Sequence, residues 1–203
     1  MQTKLLNLLG PIISNPSRRD ALRRFLQGGM KKEKKMLLEA IDQSPKSILD
    51  FGCGTGEFSE IFPKPSYTGV DIDRLSIDQA KTMHPGYNFS AIRDVTDVTG
   101  RYDWVLMIGS AHHIDPELLE KILLAIKNNL LTGDGSLVMM EPVPASEQKT
   151  FIGKLQIEND QGHFLRTKSQ LQAALDGKFS ITKYDTFKEN FVIFYLLVAR
   201  PSP

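Results

Sequence analysis

The feature that most constrains this chain is a short apolar segment that ends in glycines on alternate residues. Residues 48–51 are apolar except for Asp50, and three glycines follow. Residues 57–61 then suit a helix, so the segment predicts a strand, a tight turn and a helix. Glycine allows backbone torsions that other residues avoid, and it removes the Cβ atoms that would keep a ligand away. Such a turn brings backbone N–H groups and a helix N-terminus towards that ligand.

The spacing of these glycines separates two classes of ligand. A dinucleotide fingerprint, G-x-G-x-x-G, needs a third glycine at position 57, where this chain has Glu57. The sequence instead reads D-x-G-x-G-x-G from Asp50, and this motif resembles the first motif of the class I S-adenosylmethionine-dependent methyltransferases. In that family the turn holds the methionine end of the cofactor, whose cationic amino group and sulfonium suit an acidic residue. The resemblance therefore implies S-adenosylmethionine as cofactor, held here by Asp50, Gly52, Gly54 and Gly56.

Predicted strands alternate with predicted helices along residues 47–200, and this order favours βαβ units and a parallel sheet. The family resemblance covers the same residues and implies an α/β fold of the Rossmann-like, doubly wound type. The expected sheet has seven strands, is mainly parallel and has helices on both faces. Its antiparallel C-terminal strand is expected between the fifth and sixth strands.

Polar residues follow the predicted strands, at the edge where such sheets bind ligands. Asp71 ends the second strand, where a carboxylate accepts hydrogen bonds from both hydroxyls of a ribose. By resemblance, Asp94 accepts a hydrogen bond from the adenine amino group, although Asp97 lies close enough to compete for this role. The resemblance also places apolar side chains against the adenine. The full set added to the cofactor site is Asp71, Ile72, Asp94, Val95 and Ile108.

Two adjacent histidines, His112 and His113, follow the fourth predicted strand, where a base would reach the transferring methyl group. Losing a proton to a positioned base accelerates a hydroxyl or amine acceptor by typically ~10²–10⁴-fold. A histidine is close to neutral at physiological pH and can accept that proton. Small-molecule members of the family often carry a similar His-His step. We expect one of the pair as the base, with Glu141 second and His163 third; the alternative is an imidazole that satisfies loop backbone groups.

No metal site is expected at the histidine pair. Adjacent histidines cannot easily ligate one ion together, and no Cys-x-x-Cys motif accompanies them.

The N-terminal part of the chain is expected to be a separate helical segment. Residues 1–45 are predicted to pack on the methyltransferase domain, residues 46–203, and to cap its cleft. Eight basic residues favour either a solvated helix face or a dock for an anionic substrate or membrane surface. They are Arg18, Arg19, Arg23, Arg24, Lys31, Lys32, Lys34 and Lys35.

Composition narrows the partners and the compartment. The net charge of +1 provides no overall field that favours nucleic acid. The single cysteine, Cys53, has no internal disulfide partner and suits a reducing compartment, so we expect a cytoplasmic protein. The apolar residues before position 15 are too few to span a bilayer, and we expect no transmembrane segment.

The motifs and the family resemblance that they carry therefore predict an S-adenosylmethionine-dependent methyltransferase that acts on a small-molecule or a lipid- or sugar-linked acceptor, with oxygen favoured as the acceptor atom. An anionic acceptor is compatible with the basic N-terminal segment. One alternative is a non-catalytic cofactor- or membrane-binding protein on the same fold. A further alternative, an NAD-dependent oxidoreductase, is disfavoured by Glu57 in the place of the third glycine.

Overall fold

The computed structural model describes residues 30–41, 47–160 and 162–203. A seven-stranded sheet with the strand order β3-β2-β1-β4-β5-β7-β6 forms its centre. The strands are β1 (Ile48–Phe51), β2 (Tyr67–Asp71), β3 (Asn88–Ala91), β4 (Tyr102–Ile108), β5 (Leu131–Pro142), β6 (Phe179–Glu189) and β7 (Val192–Pro201). Strands β1 to β5 pair in parallel, and β7 runs antiparallel between β5 and β6. The predicted mainly parallel sheet with an inserted antiparallel last strand is confirmed.

The described residues form five α-helices, and most of them begin at local capping signals. The helices are α1 (Lys31–Ala40), α2 (Arg74–Met83), α3 (Pro116–Ala125), α4 (Phe151–Glu158) and α5 (Lys168–Leu175). The side chains of Asp73 and Asp115 accept hydrogen bonds from the first turns of α2 and α3. Thr167 and Gln170 form a reciprocal capping box at α5. None of the described helices is long and apolar enough to cross a membrane.

The helix expected directly after the glycine turn is absent, and that prediction is wrong. A single 3-10 turn, Ser59–Ile61, stands in its place. Pro63 and Pro65 follow it closely and disfavour helical torsions in the residues before them. Only six residues lie between Gly56 and Pro63, and so short a segment forms too few helical hydrogen bonds to offset the unfavourable free energy of helix nucleation.

Apolar side chains cover both faces of the sheet. Val105 and Met107 of β4 belong to a cluster that includes Leu119 and Leu123 of α3. Leu106, which points to the opposite face, belongs to a second cluster with residues of α1 and α2. Burial on both faces explains why β1 and β4 read as almost continuous apolar runs.

Parallel pairing brings the carboxyl ends of neighbouring strands to one edge of the sheet. Gly52 N, just after β1, donates a 2.8 Å hydrogen bond to Val70 O in β2. Gly109 N, just after β4, donates a 2.8 Å hydrogen bond to Met140 O in β5. The residues that follow β1, β2, β4 and β5 therefore lie side by side, as the sequence predicted.

Candidate active site

The glycine turn adopts torsions that require glycine. Gly52, Gly54 and Gly56 have φ values of 82°, 54° and 80°. A Cβ atom at Gly52 would lie 2.6 Å from Ser110 Cβ, so the turn packs closely on the segment after β4. A Cβ atom at Gly54 would meet no atom within 4 Å. Gly54 therefore borders open space that a ligand can enter.

Asp71 is held by backbone N–H groups at both carboxylate oxygens, and one of these groups belongs to the glycine turn. Oδ2 accepts a 2.8 Å hydrogen bond from Gly54 N, and Oδ1 accepts a 2.9 Å hydrogen bond from Asp73 N. Each carboxylate oxygen has a second lone pair, so Asp71 keeps acceptor capacity for further donors. The carboxylate predicted to bind a ribose therefore lies directly beside the glycine that borders open space.

The other expected cofactor contacts divide into exposed and buried residues. Ile72 is 75% exposed at the sheet edge, whereas Val95 is buried in the core and Ile108 is half-buried. The Asp94 side chain is exposed and accepts a 2.9 Å hydrogen bond from Thr96 N, which lowers the pKa of Asp94. Asp97 is bound to Arg93 instead. Of these residues, Ile72 and Asp94 present the most accessible side chains at this edge.

Asp50 lies beneath the turn and is 1% exposed. The Tyr67 hydroxyl donates a 2.6 Å hydrogen bond to Asp50 Oδ2. Burial raises the pKa of Asp50 from 3.8 to about 7, against the lowering effect of the Tyr67 hydrogen bond. Asp50 thus supports the turn from below, and its carboxylate does not face the open space at Gly54.

Glu141, at the end of β5, organises the loop after β4. Its Oε1 atom accepts hydrogen bonds from Ser110 N at 2.9 Å and from Ala111 N at 2.7 Å. Its Oε2 atom contacts His112 Nδ1. Glu141 and His112 are 2% and 4% exposed. Two of the three predicted catalytic residues, Glu141 and His112, therefore form one buried carboxylate–imidazole pair, and Glu141 also accepts hydrogen bonds from two backbone N–H groups of the loop.

A second carboxylate, missed by the sequence interpretation, meets the other side of the same ring. Asp160 Oδ1 lies 3.2 Å from His112 Nε2. Burial lowers the pKa of His112, but Glu141 and Asp160 outweigh this effect and raise it from 6.5 to about 9. Burial raises the pKa of Asp160, but the contact with His112 outweighs it and lowers that pKa from 3.8 to about 2. In this arrangement His112 is an imidazolium at neutral pH, which differs from the nearly neutral histidine expected.

Asp160 belongs to a segment that crosses the His112 loop, and we call residues 160 and 162–166 the strap. Phe164 N donates a 2.9 Å hydrogen bond to His112 O. The Arg166 guanidinium donates hydrogen bonds of 2.7 Å each to Ala111 O and Ile114 O. A Cβ atom at Gly162 would lie 1.9 Å from His112 Cδ2, so the strap fits closely over the ring. The only signal in the sequence was an irregular segment after β5.

The remaining histidines differ in position. His113 is exposed, and its ring centroid lies 4.1 Å from that of His112. His112, His113 and Asp160 offer one metal-ligand atom each within 4.8 Å of one another, because a 3-10 turn, Ala111–His113, brings both rings together. Both ring nitrogens of His112 already contact carboxylates, so the absence of a metal stays a prediction. His163 is exposed on the strap.

A small cavity of about 40 Å³ lies beside His112. Its volume suits a few water molecules and is far below the ~300–1,000 Å³ of sites for drug-sized ligands. Most of its lining is apolar, and three side chains in it ionise. The lining residues are Met30, Glu33, Phe58, Ile108, Gly109, His112, Met140, Pro142, Ile157, Asp160 and Phe194. Residues of α1, α4 and the strap thus enclose this cavity together with residues at the ends of β4, β5 and β7.

The structure describes only part of the basic surface that was predicted to dock an anionic substrate or membrane. Its four arginines lie outside the described residues, and its four lysines lie on α1. Lys34 Nζ lies 3.7 Å from Glu57 Oε1 beside the glycine turn. Lys31, Lys32 and Lys35 are exposed.

Comparison with known sequences identifies the family of this domain. A family profile described as a methyltransferase domain matches residues 22–177. An uncharacterised protein of Rickettsia prowazekii is 30% identical over 99 residues. That match covers 43% of this chain and 39% of the relative, so this chain matches well under two thirds of that protein's length.

Comparison with solved structures shows the same fold in three other proteins, two of which are named as methyltransferases. A Pyrococcus horikoshii protein has a TM-score of 0.68 at 19% identity, with 87% of this chain and 91% of that chain covered. Human N-acetylserotonin methyltransferase in complex with S-adenosylmethionine has a TM-score of 0.70 at 16% identity, with coverages of 95% and 58%. Magnesium protoporphyrin IX methyltransferase of Synechocystis with bound S-adenosylmethionine has a TM-score of 0.63 at 17% identity, with coverages of 91% and 83%.

Proposed function

This chain belongs to the methyltransferase domain family, and we propose that it transfers the methyl group of S-adenosylmethionine to an oxygen atom of a small acceptor, free or linked to a lipid or sugar. Its family makes it an enzyme of the transferase class. One observation carries the proposal: Ser110 packs on Gly52 of the turn, while the preceding Gly109 lines the cavity beside His112. A cofactor at the turn and an acceptor in the cavity would therefore be neighbours.

The residues around the turn fit this cofactor. S-adenosylmethionine supplies an electrophilic methyl group on a sulfonium. Gly54 leaves room at the turn, and Asp71 beside it offers free lone pairs to ribose hydroxyls. Ile72 exposes a large apolar side chain that suits the face of an adenine, and Asp94 is accessible to its amino group. Val95, Ile108 and the buried Asp50 would support this surface from within.

We propose His112 as the base, with Glu141 as the group that orients it. The Glu141 contact at Nδ1 leaves Nε2 as the ring atom for proton transfer. Asp160 occupies Nε2 in this structure, so the strap must release it before the ring can act. Once Asp160 withdraws, one of the two carboxylates that raise the pKa of His112 is gone. Nε2 can then lose its proton to solvent and accept the hydroxyl proton of an acceptor. His113, on the exposed side of the pair, is the second candidate.

The shape of the cavity favours an acceptor with an apolar body. Met140, Ile157 and Phe194 contribute apolar walls, whereas polar groups cluster near His112. Catalysis of an in-line displacement depends mainly on holding the acceptor atom close to the methyl group and aligned with the sulfur. Because the cavity is small, acceptor binding requires a movement of the strap or of the segment that contains α1.

The N-terminal segment, residues 1–45, is proposed to cap this cleft. Met30, at the start of α1, is 2% exposed and Glu33 is 4% exposed, and both line the cavity. The backbone N–H of Lys32 donates a 3.0 Å hydrogen bond to Glu189 Oε2, which ties α1 to the end of β6. These contacts support a role for α1 as part of the acceptor site.

Calorimetry with the full chain tests the cofactor part of the proposal. We expect S-adenosylmethionine and S-adenosylhomocysteine to bind, and NAD not to bind. Absence of binding of both sulfur compounds at millimolar concentration would reject it, and NAD binding in their place would support an oxidoreductase. A metabolite extract screened for methyl incorporation would then identify the acceptor. An analogue of that acceptor with hydrogen in place of the hydroxyl should not be methylated if the methyl group is transferred to oxygen.

A further inference from the structure

Helix α4 carries apolar residues on both of its faces. Gly153 and Ile157 face inward and are buried, and Ile157 lines the cavity. Phe151, Ile152 and Leu155 point outward and are 79%, 46% and 41% exposed. A surface helix normally pairs an apolar face with a polar one, so the outer face of α4 needs a separate explanation.

The turn between β6 and β7 extends this apolar surface. The Thr150 hydroxyl, at the start of α4, donates a 2.9 Å hydrogen bond to Phe191 O in the turn. A Cβ atom at Gly153 would lie 2.2 Å from the same oxygen, so helix and turn are in close contact. The Phe191 side chain is 40% exposed. We define the apolar patch as Phe151, Ile152, Leu155 and Phe191.

Exposed lysines lie on the segments that carry the apolar patch and on the helix that adjoins them. Lys149 and Lys154 flank it on the α4 side, and Lys188 lies just before the turn. Helix α1 adjoins the same turn, because Lys32 N bonds the Glu189 carboxylate. The six exposed lysines of these segments are Lys31, Lys32, Lys35, Lys149, Lys154 and Lys188. The same segments expose three carboxylates, those of Glu39, Glu147 and Glu158.

We propose that the apolar patch and its lysines bind the surface of an anionic lipid bilayer. Aromatic and aliphatic side chains on one helical face insert at the boundary of headgroups and acyl chains, and nearby lysines attract anionic headgroups. A second copy of this chain is a poorer occupant, because a two-fold contact would bring like-charged lysines together. The helices that carry this surface, α1 and α4, also adjoin the cavity, so a lipid-linked acceptor would enter from the membrane side. That last point rests on the proposed function, whereas bilayer binding does not.

Vesicle co-sedimentation of the full chain tests the proposal. We expect binding to phosphatidylcholine vesicles that contain an anionic phospholipid, and much weaker binding to phosphatidylcholine alone. Phe151→Ala together with Leu155→Ala should lower the partition constant by roughly tenfold or more, because two inserted side chains are lost. Leu118→Ala together with Leu124→Ala is the matched control, since both leucines are 40% exposed on α3. This control should bind as the unchanged protein does.

Three outcomes would overturn the proposal. The first is no binding to anionic vesicles, and the second is an equal loss in the α4 and α3 variants. The third is a dimer in light scattering that becomes monomeric only in the α4 variant, which would make the patch an interface between copies. Calorimetry with S-adenosylmethionine on the same variants separates this proposal from the enzymatic one, because the patch lies outside the cofactor residues.

Discussion

Asp160 of the strap lies 3.2 Å from His112 Nε2, the ring atom that would face an acceptor. The contact joins a loop that follows β4 to a segment that follows α4. It gives His112 a second carboxylate partner in addition to Glu141. The closed strap therefore keeps His112 protonated, and release of Asp160 is the step that would make it a base.

Asp160→Asn should lower the pKa of His112 from about 9 by roughly one unit or more, because one of the two carboxylates that stabilise the imidazolium is lost. NMR titration of the His112 ring protons measures this change. Since the base form is needed for proton transfer, the rise of kcat/KM with pH should move to lower pH. Asp134→Asn, at an exposed position of β5, is the control. An unchanged His112 pKa in Asp160→Asn would contradict the contact.

Asp71→Asn should weaken S-adenosylmethionine binding by roughly 10- to 100-fold. A hydrogen bond to a charged group is worth ~1.5–3 kcal/mol, and the variant replaces the carboxylate at the proposed ribose site. Calorimetry measures the affinity, again beside Asp134→Asn. If both variants bind equally well, Asp71 serves only to hold Gly54 N and not the ribose.

Gly52→Ala and Gly54→Ala form a matched pair that separates stability from binding. Both positions have positive φ, 82° and 54°, so each alanine costs ~1–2 kcal/mol of backbone strain. Only at Gly52 does the new Cβ also collide with Ser110, at 2.6 Å. Urea unfolding should show the larger loss of stability for Gly52→Ala.

For Gly54→Ala, calorimetry should show loss of S-adenosylmethionine binding in a protein that remains folded at 25 °C. The alanine methyl group would enter the space that borders the turn, where no protein atom lies within 4 Å. Full affinity in this variant would place the cofactor elsewhere.

Asp50→Asn should make the stability of the protein less dependent on pH. Burial raises the pKa of Asp50 from 3.8 to about 7, so the folded state keeps a proton that the unfolded state loses. The stabilisation is present below pH 3.8 and is lost as pH rises to about 7, a change on the order of 4 kcal/mol. The asparagine amide oxygen still accepts the Tyr67 hydroxyl.

Urea unfolding at pH 4 and pH 8 measures this effect. The free energy of unfolding of Asp50→Asn minus that of the unchanged protein should be more positive at pH 8 than at pH 4. A difference that is the same at both pH values would mean that Asp50 ionises near its ordinary pKa. Tyr67→Phe, which removes the hydrogen bond that lowers this pKa, should extend the loss of stability to higher pH.

Local and periodic signals in the sequence were sufficient for the fold and the family. Strands alternating with helices predicted the mainly parallel sheet, and the glycine motif carried the family resemblance that implied the inserted antiparallel last strand; the sheet and the family are both confirmed. The same signals predicted the edge at which Asp71, Asp94, His112 and Glu141 lie. The prediction of a helix after the glycine turn was wrong, because the segment between Gly56 and the prolines Pro63 and Pro65 is too short for an α-helix.

Tertiary structure alone decided how the site residues are paired and charged. Asp50 and Asp71 are aspartates of neighbouring strands, yet Asp50 is buried and bonded to the Tyr67 hydroxyl, whereas Asp71 accepts a hydrogen bond from Gly54 N in the glycine turn. Asp160 meets His112 only because the strap folds across the loop after β4. A pKa depends on burial and on charges within a few ångströms, and those neighbours come from distant parts of the chain. The sequence therefore determined which residues reach the edge of the sheet, and the packing of strap and loop determined their protonation.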